Sequence, residues 1–149
     1  MVKILSIDPG DTTGWVYAET NSETKSTKII EMGEWKYGEV YRQLCSYRST
    51  VDILVVEDYK IRDPKVSKGY SHYWSSPTPL RIIGACEFLA ANFKVKLVLQ
   101  QPSIKPMGGA YLGWKPGSVK KGEHTKDALM HLEFYCVTQL KHVPVIRKK

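Results

Sequence analysis

Ile53-Leu-Val-Val-Glu-Asp-Tyr59 is apolar on both faces until Glu57. A strand with one wet face alternates, so an unbroken apolar run marks a central strand covered on both sides. Such a strand is reached from a parallel neighbour through a helical crossover. The residues before it supply one, since Val40, Leu44, Tyr47 and Val51 recur at helical spacing after Gly38. Further upstream, Val2 to Asp8 alternates as a strand and Asp8-Pro-Gly-Asp11 turns the chain sharply. Strands follow over residues 14–19 and 27–36. An antiparallel meander joined to a parallel strand makes the sheet mixed.

Downstream, the pattern predicts a helix over residues 79–93 with Ile82, Cys86, Leu89 and Phe93 as its buried row. Its other stripe is small: Leu80, Gly84 and Ala91 would admit a neighbouring backbone, from this chain or from a second copy. Residues 95–99 read as a fifth strand, and a last helix runs from 123 or 124 to about 141. Residues 60–79 and 100–122 read as long loops, a kind usually reserved for function. The expected fold class is therefore α/β, one mixed five-stranded sheet flanked by helices, with residues 1–149 as a single domain.

Lys and Arg total 22 against 15 acids, a net charge of +7, which makes a polyanion the first partner to test. No stretch approaches the roughly 18 apolar residues of a membrane span, and the start lacks a signal-peptide core, so no membrane partner and a cytoplasmic location are expected. Cys45, Cys86 and Cys136 are odd in number, far apart and set in apolar helical patterns. They read as core thiols rather than a disulfide framework or a metal site.

Three carboxylates, Asp8, Glu57 and Asp127, stand where an ordinary sequence rarely puts them. Asp8 ends the first strand on the side of Val2, Ile4 and Ser6, although Asp-Pro-Gly is also plain turn chemistry. Glu57 shares a strand face with Ile53 and Val55, where an unpaired carboxylate is desolvated and needs a cation, a proton or a donor. Asp58 points to the opposite face. On the last helix, at about 100° per residue, His124, Asp127 and His131 fall within an arc of about 60°. Asp127 near a helix N-terminus is also what the macrodipole favours. Brought together, such acids repel one another unless cations neutralise them, and hard oxygen ligands select Mg²⁺ or Mn²⁺. Two such ions serve the in-line displacement of a phosphodiester.

Ile4-Leu-Ser-Ile-Asp8-Pro-Gly-Asp-Thr-Thr-Gly14-Trp15, Val55-Val-Glu57-Asp-Tyr59 and His124-Thr-Lys-Asp127-Ala128-Leu129 resemble the three acidic motifs of RuvC-type Holliday junction resolvases. The resemblance is closest to the short phage-encoded members and covers nearly the whole chain in order and spacing. It implies a ribonuclease H-like fold, a homodimer, two divalent ions per active site and symmetric nicking of a four-way DNA junction, in the host cytoplasm if the chain is phage-encoded. It also implies that Asp8, Glu57, His124 and Asp127 are the metal-binding, catalytic quartet. Asp8 and Asp127 would hold the ion that activates water, and Asp8 and Glu57 would share the second, with His131 one layer behind. The segment over residues 102–122 matches the bacterial enzymes only loosely. Their aromatic wedge has a rough counterpart in Tyr59, with Tyr70, Tyr73 and Trp74 as alternatives.

DNA contacts are expected from Thr12 and Thr13 beside the site and from Lys60, Arg62, Lys65, Lys68, Lys105, Lys115, Lys120 and Lys121 on phosphates, with aromatics stacking on unpaired bases. Rival readings are a related nuclease of ribosomal-RNA maturation, which shares fold and size, and a branched-DNA binder without catalysis. A sugar-kinase or actin-like phosphotransferase opens with a similar loop but needs two such domains around a nucleotide, so no nucleotide cofactor is expected.

Overall fold

The computed structural model describes residues 1–60 and 76–148. Five strands, β1 (Val2–Asp8), β2 (Thr12–Asn21), β3 (Ser26–Lys36), β4 (Ile53–Glu57) and β5 (Lys96–Gln100), form one sheet in the order β3-β2-β1-β4-β5. The β1/β2 and β2/β3 pairs are antiparallel, and β4 lies parallel to both β1 and β5. The mixed sheet read from the sequence is thus the one formed. Among the described residues four helices flank it: α1 (Tyr37–Tyr47), α2 (Thr78–Asn92), α3 (Lys105–Leu112) and α4 (His124–Thr138). Among the described residues no helix is long and apolar enough to cross a membrane.

Strand alternation sorts the core into two layers. Leu5, Ile7, Leu54 and Val56 face α1 and α2, together with Val40, Leu44, Ile82 and Cys86. Ile4, Val16, Ile53 and Val55 face α4 through Ala128, Leu132, Tyr135 and Cys136. Fully burying an aliphatic side chain contributes roughly 1.5–3 kcal/mol, so the alternation pins the register of β1 and β4. One residue beyond the last paired positions, Ile7 and Val56, each strand delivers its terminal carboxylate to the α4 face.

Two glycines allow α4 to sit close. A Cβ on Gly14 of β2 would run into the backbone carbonyl of His124, and one on Gly108 of α3 would run into that of Met130. Ser6 anchors the same helix from within the sheet, its buried hydroxyl donating to the Ala128 carbonyl at 2.8 Å.

Residues 100–122 are not wholly a loop, because a 3-10 turn, Pro102–Ile104, and α3 occupy part of them. The prolines sit in the first turn of each, where a missing N–H costs nothing. Gly108 and Gly109 are the contact surface against Met130, and Gly113, with φ 84°, ends the helix. At Gly84 nothing in the described chain comes within 4 Å of an added Cβ, which leaves a second copy as the neighbour its small stripe would admit. Two other expectations fail: Phe93 lies beyond α2 and is 38% exposed, and Cys45 is exposed while Cys86 and Cys136 are buried. In each case periodicity gave the helix but not which of its faces the sheet would cover.

Candidate active site

Asp8 at the end of β1 and Glu57 at the end of β4 face the first two turns of α4, which carry His124, Asp127 and His131. Ligand atoms of Asp8, His124 and Asp127 all lie within 4.8 Å of one another. His124 Nδ1 and Asp8 Oδ2 are hydrogen-bonded at 2.9 Å. Glu57 stands outside that trio and is tied to it by a lysine that sequence reasoning had assigned to DNA phosphates. Lys105, at the start of α3, places its Nζ 3.3 Å from Glu57 Oε2 and 3.6 Å from Asp127 Oδ2. Its charge identified it as a cation, but nothing in the pattern showed that α3 would point it inward.

Behind Glu57, His131 is fully buried and its Nε2 lies 2.9 Å from Glu57 Oε2. Its Nδ1 lies 3.1 Å from Nε2 of Gln100, whose amide also donates to the His131 carbonyl at 2.9 Å. Gln100 did not figure among the expected residues. The available signal was its place at the end of an apolar strand, on the face of Val98.

The electrostatics follow from burial and crowding. Desolvation, and next the Glu57 charge, raise the Asp8 carboxyl from 3.8 to about 7 despite the His124 hydrogen bond. Desolvation also raises Asp127, against the pull of Lys105. For Glu57, desolvation is outweighed by the His131 hydrogen bond and the Lys105 charge, which leave its carboxyl below the ordinary value. Lys105 shows the reverse balance: burial is outweighed by Glu57, Asp127 and Asp8, and its ammonium is held above the usual lysine value.

These groups form the floor of a cleft of about 970 Å³. One wall is the segment from Trp114 to Gly122, with Lys115, Lys120 and Lys121, and Tyr59 and Pro102 also border the space. The three lysines are exposed and Tyr59 is half-buried against the α1/α2 core. Lys60 is exposed and Thr12 half-buried. Thr13 is not presented to a ligand, being fully buried with its hydroxyl donating to the Gly10 carbonyl at 3.1 Å. Asp58 is engaged elsewhere, accepting from the Gln101 amide at 3.0 Å. Arg62, Lys65, Lys68, Tyr70, Tyr73 and Trp74 lie outside the described residues.

No protein-family model and no curated protein sequence matches the chain. Solved structures do. The chain is similar to Thermus thermophilus RuvC, with a TM-score of 0.63 at 13% identity, covering 96% of this chain and 99% of that one. It is similar to the fowlpox virus resolvase solved with Holliday junction DNA, with a TM-score of 0.59 at 13% identity over 94% and 97% of the two chains. The yeast mitochondrial Holliday junction resolvase gives a TM-score of 0.56 at 12% identity over 99% and 83%. The chain therefore has the RuvC-type, ribonuclease H-like fold along essentially its whole length.

Proposed function

We propose that this chain is a metal-dependent endonuclease that nicks branched DNA, with a four-way junction as its substrate, and that it acts as a homodimer. The observation that carries the reading is the convergence of Asp8, His124 and Asp127 within 4.8 Å on the floor of a cleft walled by lysines. The fold it shares with junction resolvases supports the substrate class.

The residues fit a hard divalent cation. Two carboxylates offer the hard oxygen donors that suit Mg²⁺ or Mn²⁺, and the imidazole adds a borderline nitrogen donor that Mn²⁺ accepts more readily than Mg²⁺. Asp8, raised to about 7 by burial and by Glu57, is in a site that a cation would relieve. Asp8, His124 and Asp127 would hold one ion, and Asp8 with Glu57 a second. Bound there, such ions supply Lewis acidity toward a phosphate and lower the pKa of a water.

The chain's own groups do the rest. Lys105 balances the charges of Glu57 and Asp127 and keeps an ammonium beside them for a phosphate oxygen. Lys115, Lys120 and Lys121 hold a strand by its backbone, and Tyr59 offers a ring on which an unpaired base can stack. For the dimer, the outward face of α2 offers Gly84, Phe88 and Ala91, with the Phe88 ring 69% exposed.

The test is a nicking assay on an immobile four-way junction with Mg²⁺, Mn²⁺ or EDTA, comparing wild type with Asp8→Asn. Paired nicks are expected from wild type with either metal, and none with EDTA or from the variant, which still binds the junction. Equal cleavage by both proteins would overturn the site assignment. Binding without cleavage would favour the non-catalytic reading, and cleavage of precursor ribosomal RNA in place of the junction would favour the RNA-processing one.

A further inference from the structure

We infer that His131 is a positioning residue for Glu57, locked by Gln100 into the tautomer that donates a hydrogen bond to the carboxylate. The inference rests on the metal-site reading above for its purpose, and on three linked contacts for its geometry.

The contacts leave one consistent assignment of protons. Gln100 pairs with Glu57 across the β4/β5 ladder, so the two side chains arrive together on the face covered by α4. One atom of the Gln100 amide lies 2.9 Å from the His131 carbonyl oxygen. A carbonyl only accepts, so that atom is the NH₂ nitrogen and not the amide oxygen. The same nitrogen lies 3.1 Å from His131 Nδ1. Facing a donor, Nδ1 must present its lone pair, and the ring proton then sits on Nε2. Nε2 is 2.9 Å from Glu57 Oε2, so the hydrogen bond runs from imidazole to carboxylate. A fixed backbone carbonyl thus orients the amide, the amide sets the tautomer, and the tautomer gives Glu57 a donor.

Burial makes the chain of contacts rigid. His131 is fully buried and Gln100 is 8% exposed, so neither can exchange its partner for water without opening the α4/sheet interface. Glu57 Oε2 takes both this donor and the Lys105 ammonium, and among the described residues Oε1 has no hydrogen-bond partner. The arrangement fixes a flexible carboxylate by one oxygen and reserves the other for a cation. Hydrogen-bond partners of metal-binding side chains typically matter by 10–100-fold in affinity.

The test uses the full chain without DNA, and Mn²⁺ alone as the probe. Nitrogen-15 NMR of histidine-labelled protein is expected to show His131 protonated at Nε2 and not at Nδ1. Calorimetric titration with Mn²⁺ is expected to show roughly a tenfold or greater loss of affinity in His131→Leu. His131→Gln, which keeps an N–H donor, should recover most of that loss. A merely structural histidine would give no such recovery and no fixed tautomer. A proton on Nδ1 in wild type, or Mn²⁺ affinity unchanged in His131→Leu, would overturn this inference and leave the metal site standing. A wild type that binds no Mn²⁺ would overturn both together. If His131→Leu does not fold, the wild-type spectrum and the affinity of His131→Gln still decide the matter.

Discussion

Lys105 Nζ stands 3.3 Å from Glu57 Oε2, so the cluster of acids carries its own counter-charge from a helix that the sequence pattern hid. The two side chains are 26% and 15% exposed, between the surface regime, where a pair contributes little, and the buried regime, where removing one partner strands the other. Lys105→Met is therefore expected to destabilise the metal-free protein by about 1–3 kcal/mol. Denaturant melts in EDTA and in Mg²⁺ check this, with the deficit shrinking when Mg²⁺ replaces the lost charge. An equal deficit in both conditions would assign Lys105 to packing.

Asp8 sets a pH dependence of unusual sign. Its carboxyl is raised from 3.8 to about 7, chiefly by burial and the Glu57 charge. The folded state therefore keeps a proton that the unfolded chain releases at lower pH, and this contribution to stability is lost as pH rises from about 4 through about 7. Asp8→Asn keeps the shape without the charge, so in EDTA it should be the more stable protein at pH 8, with the gap closing toward pH 4. Metal affinity of the wild type should rise over the same interval, since a cation must displace that proton. Thermal melts of both proteins from pH 4 to pH 8 test the first statement; parallel curves would defeat it.

The strand ends were legible because alternation is a two-residue period tied to a face: once Ile53 and Val55 are buried against α4, Glu57 has nowhere else to go. His124, Asp127 and His131 were legible for the same reason on a helical period. Lys105 and Gln100 were not, because side-chain chemistry does not say which neighbour a connecting segment will meet. Residues 100–122 look like punctuation in sequence, yet Gly108 and Gly109 are a packing surface whose meaning depends on Met130 being opposite. Thr13 misled in the other direction, since a hydroxyl in a tight turn serves the turn before it serves a ligand.

Gly14 is where the sheet and the site are mechanically coupled. A Cβ there would collide with the His124 carbonyl, and the collision is relieved only by moving the N-terminus of α4, which carries His124 and Asp127. Gly14→Ala should cost about 1–3 kcal/mol as an overpacking change and abolish nicking, while junction binding through the loop lysines survives. Nicking at wild-type rates by a folded Gly14→Ala protein would show that the helix start need not sit this close.

The outward face of α2 separates two accounts of its small residues. Nothing in the described chain lies within 4 Å of a Cβ placed on Gly84, and Phe88 is 69% exposed. Helix-on-sheet packing among the described residues therefore does not account for the glycine at position 84. Phe88→Asp should convert a dimer to a monomer in analytical ultracentrifugation without lowering the melting temperature of the monomer. A wild type that sediments as a monomer at the same concentrations would remove the dimer from the proposal.

Lys115, Lys120 and Lys121 are exposed along one wall of the cleft, and among the described residues none of their ammonium groups is ion-paired with a carboxylate; Glu123 accepts from the Lys120 backbone N–H at 2.7 Å. Their side chains are thus available to phosphates, and each contact releases condensed counterions on binding. The affinity for a four-way junction should fall steeply between low and moderate salt, with a log–log slope of roughly −0.9 per phosphate contact. Replacing all three by Ala should flatten that slope by up to about 3 and weaken binding to branched and linear DNA alike, because backbone contacts position a strand without reading it. Junction preference would then have to come from the cleft floor and its aromatic border. Filter binding of junction and linear duplex across a salt series measures both quantities, and an unchanged slope in the triple variant would place the DNA path away from this wall.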